Sequence, residues 1–314
     1  METDTTIAKN IRVADERAGY DAACKRLLSE KIILAWIMKS CLEEYRDCDV
    51  NEIAENYIEG QPQTGEVAVA PDASNQTSVI HGAGNEDKTL TEGTVTYDIR
   101  FLAVAPVSGE LIRLIINIEA QNDFYPGYPL IKRGIYYCSR MISAQYGTEF
   151  TESHYEDIKK VYSIWICMNP PKNRQNSITC YHITEKNLAG SVRERKSDYD
   201  LMTAVMICLG KEEGETDVLR LLHVLLSTEK DPGDKCHILE EDFKIKMTQT
   251  LESEVSLMCN LSKGVEEKGI QKGLDKGIAA MILTLRELKI SNDVIVKQIC
   301  EKFNLTEETA KTYL

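Results

Sequence analysis

With 314 residues, 43% of them hydrophobic, the chain has enough length for one principal domain plus an appendage and too much apolar content for a disordered segment. Its 37 Lys and Arg against 50 Asp and Glu leave a formal charge of −13, which argues against a surface that binds polyanions everywhere. No apolar run approaches the roughly 18 residues of a membrane span, and the polar start METDTTIAKN lacks the basic-then-apolar pattern of a secretion signal. A cytoplasmic protein without a membrane partner is therefore expected. The ten cysteines fall singly, without a C-x-x-C pair, as free thiols do in a reducing compartment. Charge is uneven: residues 126–196 hold eleven Lys and Arg against six Asp and Glu, a local +5, so a nucleic-acid partner would lie there.

In chain order, the first twenty residues are polar and expected to be flexible. From Asp21 to Tyr45, Ile33, Ile37, Cys41 and Glu44 fall at helical spacing, as do Leu34, Met38, Leu42 and Tyr45, which predicts one amphipathic helix. Glu43 and Glu44 are either solvated charges or, since Glu44 continues an apolar face, partly turned inward. A short helix is expected over 51–58, ended by Gly60 and Pro62. The Gly-, Asn- and Ser-rich stretch 60–93 reads as a loop with one edge strand at Glu66–Ala70.

Two strands follow, over 94–104 and 111–121, joined by a turn at Ser108-Gly109. In the second, Ile112, Leu114, Ile116, Ile118 and Ala120 share one face, while Arg113, Asn117, Glu119 and Gln121 share the other. Pro129 suits the first turn of a helix to about Tyr146, with Ile131, Ile135, Cys138 and Ile142 inward. Val161 to Met168 reads as a buried strand and Ser177 to Ile183 as another. The stretches 199–209, 216–226 and 243–259 are expected to be helical. A Lys-Gly-(Ile or Leu) repeat at 268–278 is either a helix-like linker or a close-packing helix face. Ser291 and Thr306 are N-cap candidates for two final helices, 292–302 and 307–314, whose balanced charge suits packing, including homo-oligomer contact, better than DNA. The expected organisation is an N-terminus over 1–20, a main domain over 21–226, a helical region with the connector over 227–278, and a helical module over 279–314.

Asp98 and Glu119, on neighbouring strands of this α/β chain, are the candidate metal ligands, with the carbonyl of Ala120 as a third oxygen. A hard dication such as Mg²⁺, or Mn²⁺ in its place, takes one or two carboxylates plus water and substrate phosphate. It would activate a water and offset charge building on a phosphodiester.

The order of these elements resembles the PD-(D/E)XK nuclease superfamily, and more closely the PD-(D/E)XK family transposases, or recombination-promoting nucleases. The resemblance is carried by KIILAW (31–36), GTVTYDIR (93–100), NIEAQND (117–123), YPGYPLIKRGIYYCSRMIS (125–143) and VYSIWICMNPP (161–171). It implies a restriction-endonuclease-like core, a mixed central sheet flanked by helices, with an α-helical C-terminal appendage. It also implies metal-dependent DNA cleavage in recombination or transposition. By position, Asp98 and Glu119 match the motif acids, Gln121 stands where lysine is usual, and Glu44 matches the glutamate of the first core helix. Glutamine can orient a water or a phosphate oxygen but brings no charge. Lys132, Arg133 and Arg140 would supply that charge toward DNA, or are ordinary surface residues. The competing expectation is a catalytically inactive protein of this fold that binds DNA or another protein.

Overall fold

The computed structural model describes residues 18–64, 86–89, 93–107, 110–121, 123–227 and 230–314. The expected flexible start to residue 17, the edge strand at 66–70 and the turn at 108–109 lie outside them. Two compact units emerge, Ala18–Cys259 and, among the described residues, Asn260–Leu314.

The larger unit is mixed α/β. It begins with a helix over 18–28 (α1), and extended backbone at Glu30 (ψ 126°) separates this from α2, Lys31–Cys41. The single helix expected over 21–45 is thus two, and extended backbone at Leu42 (ψ 127°) ends the second before a 3-10 turn at Glu43–Tyr45. A three-residue helix, capped by the Asp49 side chain, and a π-turn run into β1, Ile58–Thr64. β1 falls where the sequence reading ended a helix and began a loop. It is an edge strand with a register shift between Glu59 and Gln63, the kind of position where a sheet tolerates Pro62.

A ribbon of β2 (Glu86–Thr89) and β3 (Gly93–Thr96) precedes β4 (Ile99–Val107) and β5 (Glu110–Gln121). Helix α3 (Leu130–Ser143), β6 (Val161–Cys167), β7 (Ser177–His182), β8 (Met202–Cys208) and helices α4 (Asp217–Leu226) and α5 (Pro232–Glu241) follow. The six-stranded sheet has the order β1-β4-β5-β6-β8-β7. β5, β6 and β8 are parallel, while β4 runs antiparallel to β1 and β5, and β7 antiparallel to β8. Every residue of β6 is buried, so both faces of the sheet are covered there.

β8 corrects the helix expected over 199–209. Its run MTAVMIC is apolar on both sides because both sides are covered, so no period-two pattern shows in the sequence. The inward face of α3 is also rotated from the expected one. Leu130, Gly134, Tyr137, Cys138 and Met141 are buried, and Ile135 is exposed. Gly134 permits the close approach of α3 to the sheet, since a Cβ there would stand 3.1 Å from Trp165 Nε1 and 3.3 Å from the Met206 methyl.

Register sorts side chains between the two faces. Asn117, Glu119 and Gln121 align with Ser163, Trp165 and Cys167, on the side where α3 packs against Trp165, Ala204 and Met206. Tyr162, Ile164 and Ile166 point to the other side.

Helix α6, Gln249–Glu287, contains the Lys-Gly repeat and is followed by α7 (Asn292–Phe303) and α8 (Glu307–Lys311). In the smaller unit Ile278, Ile282, Ile295, Val296, Ile299 and Ala310 form a core. The Thr306 hydroxyl accepts from the Thr309 N–H and caps α8, whereas the Ser291 side chain makes no capping bond to α7.

Candidate functional site

β5 enters the site from the antiparallel pairing with β4. Ile99, the first residue of β4, faces Ile118, so Asp98, in the bend just before β4, comes beside Glu119, the next residue along β5. The two acids are bound to each other's strands: the Asp98 N–H donates to Glu119 Oε1 at 3.1 Å, and the Ala120 N–H donates to Asp98 Oδ2 at 3.1 Å. Asn117, two residues before Glu119 and therefore on the same face, donates from Nδ2 to the same Oε1 at 2.8 Å.

The pair differs from ordinary surface acids in its burial. Glu119 is 3% exposed, and burial first, then the neighbouring Asp98 carboxylate, holds its pKa well above the usual range. Burial also raises Asp98, although Lys25 pulls it back down. Lys25, on α1, is a residue that no sequence motif marks. Its Nζ lies 2.8 Å from Asp98 Oδ1 and 2.8 Å from Asp21 Oδ2, with the side chain 9% exposed. Burial opposes its charge, but the two carboxylates outweigh it and leave the Lys25 pKa raised. The Asp21–Lys25 spacing looks in sequence like any solvated i,i+4 pair, so the only sequence signal was one that surface helices carry everywhere.

The other sequence candidates are distributed more widely. Gln121 is partly exposed and its Nε2 donates to the Asp123 carbonyl at 2.5 Å. Arg133 lies over the rings of Tyr137 (5.0 Å) and Trp165 (5.2 Å), donates to the Tyr137 hydroxyl, and is close enough to Glu119 to favour its charged form. Lys132 is exposed, whereas Arg140 is only 2% exposed and donates to the Tyr136 hydroxyl at 3.0 Å. These three bases therefore do not form one surface strip; helical geometry separates neighbours by about 100°.

Glu44 stands apart from the acid pair. Its Oε1 lies 3.0 Å from Lys160 Nζ, and the Tyr162 hydroxyl donates to its Oε2 at 2.7 Å. Tyr162 points to the face opposite Glu119 and pairs with Ile116, three residues or about 10 Å down the strand. The physical reason is Leu42: its extended backbone stops the helix, so the periodicity that aligned Glu44 with Ile33 and Ile37 no longer applies.

Among the described residues, no three His, Cys, Asp or Glu side chains converge as metal ligands. The donors at the pair are nevertheless all oxygens, of the type a hard dication accepts with water completing its shell. Beside them the Asn117 Oδ1 is buried without a hydrogen-bond donor. Asp98 and Asp21 share one ammonium group, and burial beside Asp98 disfavours the charged form of Glu119, a cost that a dication bound by these oxygens would offset, so the chemistry of the donor set fits a dication. No protein-family model matches the chain, and neither does any curated protein or solved structure.

Proposed function

We propose that the chain is a Mg²⁺-dependent DNA endonuclease with a PD-(D/E)XK core, of the kind that acts in recombination or transposition. One observation carries this reading: two carboxylates, the partly buried Asp98 and the buried Glu119, are locked side by side by backbone N–H groups of the facing strand segments, with both pKa values raised. Buried acids held at the cost of their own ionisation belong to binding and catalytic sites more often than to scaffolds. The sequence resemblance supports the same reading, with DNA lying along the +5 segment at 126–196.

Asp98 and Glu119 would hold the cation, with the Ala120 carbonyl as a third oxygen. When bound, the cation supplies an activated water and a counter-charge to the phosphodiester. Gln121, partly exposed beside Glu119, orients a water or a phosphate oxygen through its amide. Arg133 adds positive potential near Glu119 without leaving its ring contacts. Lys132 faces solvent, where it meets the DNA backbone, while Arg140 braces α3 and Glu44 braces the opposite face.

The test uses purified full-length protein and supercoiled plasmid with Mg²⁺ or Mn²⁺. Wild type nicks the plasmid, and Asp98→Ala slows nicking by about a thousandfold, as expected for losing several kcal/mol of charge stabilisation. Equal cleavage by both proteins would remove the acid pair from the mechanism.

A further inference from the structure

We propose that Lys25 is the cationic residue of this site and that its ammonium group contacts a non-bridging oxygen of the DNA phosphate, the role that Gln121, lacking a charge, leaves open. The inference rests on the endonuclease reading and deepens it by naming a substrate-binding residue that no sequence motif points to.

Among the described residues, Lys25 is the lysine whose Nζ touches the acid pair, 2.8 Å from Asp98 Oδ1. Each of the other basic candidates is directed elsewhere. Arg133 is bonded to Tyr137 and Tyr128 and stacked on rings, Arg140 is buried against Tyr136, and Lys132 lies on the solvent side of α3. The glutamine at the usual lysine position donates to its own loop at Asp123. Gln121 is thus uncharged and turned to its own loop, while the fold delivers an ammonium group to the acid pair from α1, almost 100 residues upstream.

Its setting is also that of a held, oriented cation. An ordinary helix-surface lysine keeps its head in water, but the Lys25 side chain is 9% exposed. An ammonium group has three donors, and the carboxylates of Asp98 and Asp21 take two among the described residues. Asp21, one helical turn away and 35% exposed at its side chain, acts as a tether from the solvent side. The third donor remains for a phosphate oxygen arriving beside Asp98. A preoriented charge of this kind favours the transition state because it need not reorganise as charge develops.

The experiment compares full-length wild type with Lys25→Gln, Lys25→Arg and Asp21→Asn by Mg²⁺ calorimetry without DNA and by single-turnover plasmid nicking. Lys25→Gln keeps a donor for Asp98 and removes the positive charge next to the cation, so it should bind Mg²⁺ at least as tightly as wild type. Its nicking rate at saturating DNA should nonetheless fall about 100-fold, and Lys25→Arg should recover part of that loss. If Lys25→Gln does not fold, Asp21→Asn decides: releasing the tether should slow nicking about tenfold with Mg²⁺ binding unchanged.

Rates within twofold of wild type in the folded variants overturn the proposal. So does a rate loss that merely follows weakened Mg²⁺ binding, which would mean that Lys25 acts only by holding Asp98. A wild type that never nicks overturns the endonuclease reading and this inference together, whereas a nicking wild type with an equally active Lys25→Gln overturns this inference alone.

Discussion

Two buried charge clusters lie on opposite faces of the same sheet, and they are neutralised differently. Around Lys160, the carboxylates of Glu44 and Asp200 sit 3.0 and 3.1 Å from one ammonium group. The Tyr162 hydroxyl completes Glu44, and the Lys160 head lies 4.9 Å from the centre of the Tyr162 ring. Lys196, 3.7 Å from Asp200 and 2.6 Å from Glu43, adds a second cation. Around Glu119, by contrast, the bonds come from neutral donors, Asn117 and the Asp98 backbone, and the one contacting ammonium is shared by Asp98 and Asp21. Both clusters are desolvated, but in the first each carboxylate contacts a cation, whereas the hydrogen bonds to Glu119 come from neutral groups. A buried carboxylate therefore does not define a site by burial alone; what matters is whether the surrounding groups already satisfy its charge.

The two clusters should respond differently to loss of their cations and carboxylates. Lys160→Met should cost about 3–5 kcal/mol in urea unfolding, because it leaves Glu44 without its cation and Asp200 with only the more distant Lys196. Nicking per folded molecule should stay at the wild-type level, in contrast to the loss expected of Asp98→Ala. A Lys160 variant that stays stable yet stops nicking would move the proposed active centre to the Glu44 face.

A smaller effect is pH-dependent. The folded chain raises the Glu119 pKa, so it binds that proton more tightly than the unfolded chain, whose carboxyl titrates near the ordinary 4.5. Stability linked to Glu119 is therefore full below pH 4.5 and declines as pH rises through the folded pKa. In cation-free buffer, the melting temperature of Glu119→Gln should gain on that of wild type across this interval. Parallel curves would show that the Glu119 charge is already compensated.

The smallest effect is expected at the rim of the Lys160 cluster. Lys196 holds the Glu43 pKa low by hydrogen bonding, but the Glu43 side chain is 47% exposed, and such pairs contribute about 0–1 kcal/mol. Glu43→Ala should shift the urea midpoint barely, and a loss as large as that of Lys160→Met would mean that the cluster is held from its rim.

Local chemistry was enough to mark β5 and β6, because alternation in one and a β-branched, aromatic run in the other match how each strand is buried. It also marked α4, and it set Asn117, Glu119 and Gln121 on one face of β5, but the single strand expected over 94–104 is broken, and Asp98 lies in the bend between β3 and β4. It failed for β8, where burial on both sides erases alternation, and for β1, whose Gly60 and Pro62 imitate a loop until an edge with a register shift accommodates them. The company each charge keeps depends on tertiary packing. One extended residue at Leu42 sends Glu44 to Lys160, and the packing of α1 brings Lys25 to Asp98. Helical and strand periods specify the face on which a side chain lies; which distant group satisfies its charge depends on how the faces are stacked, and no local period encodes that.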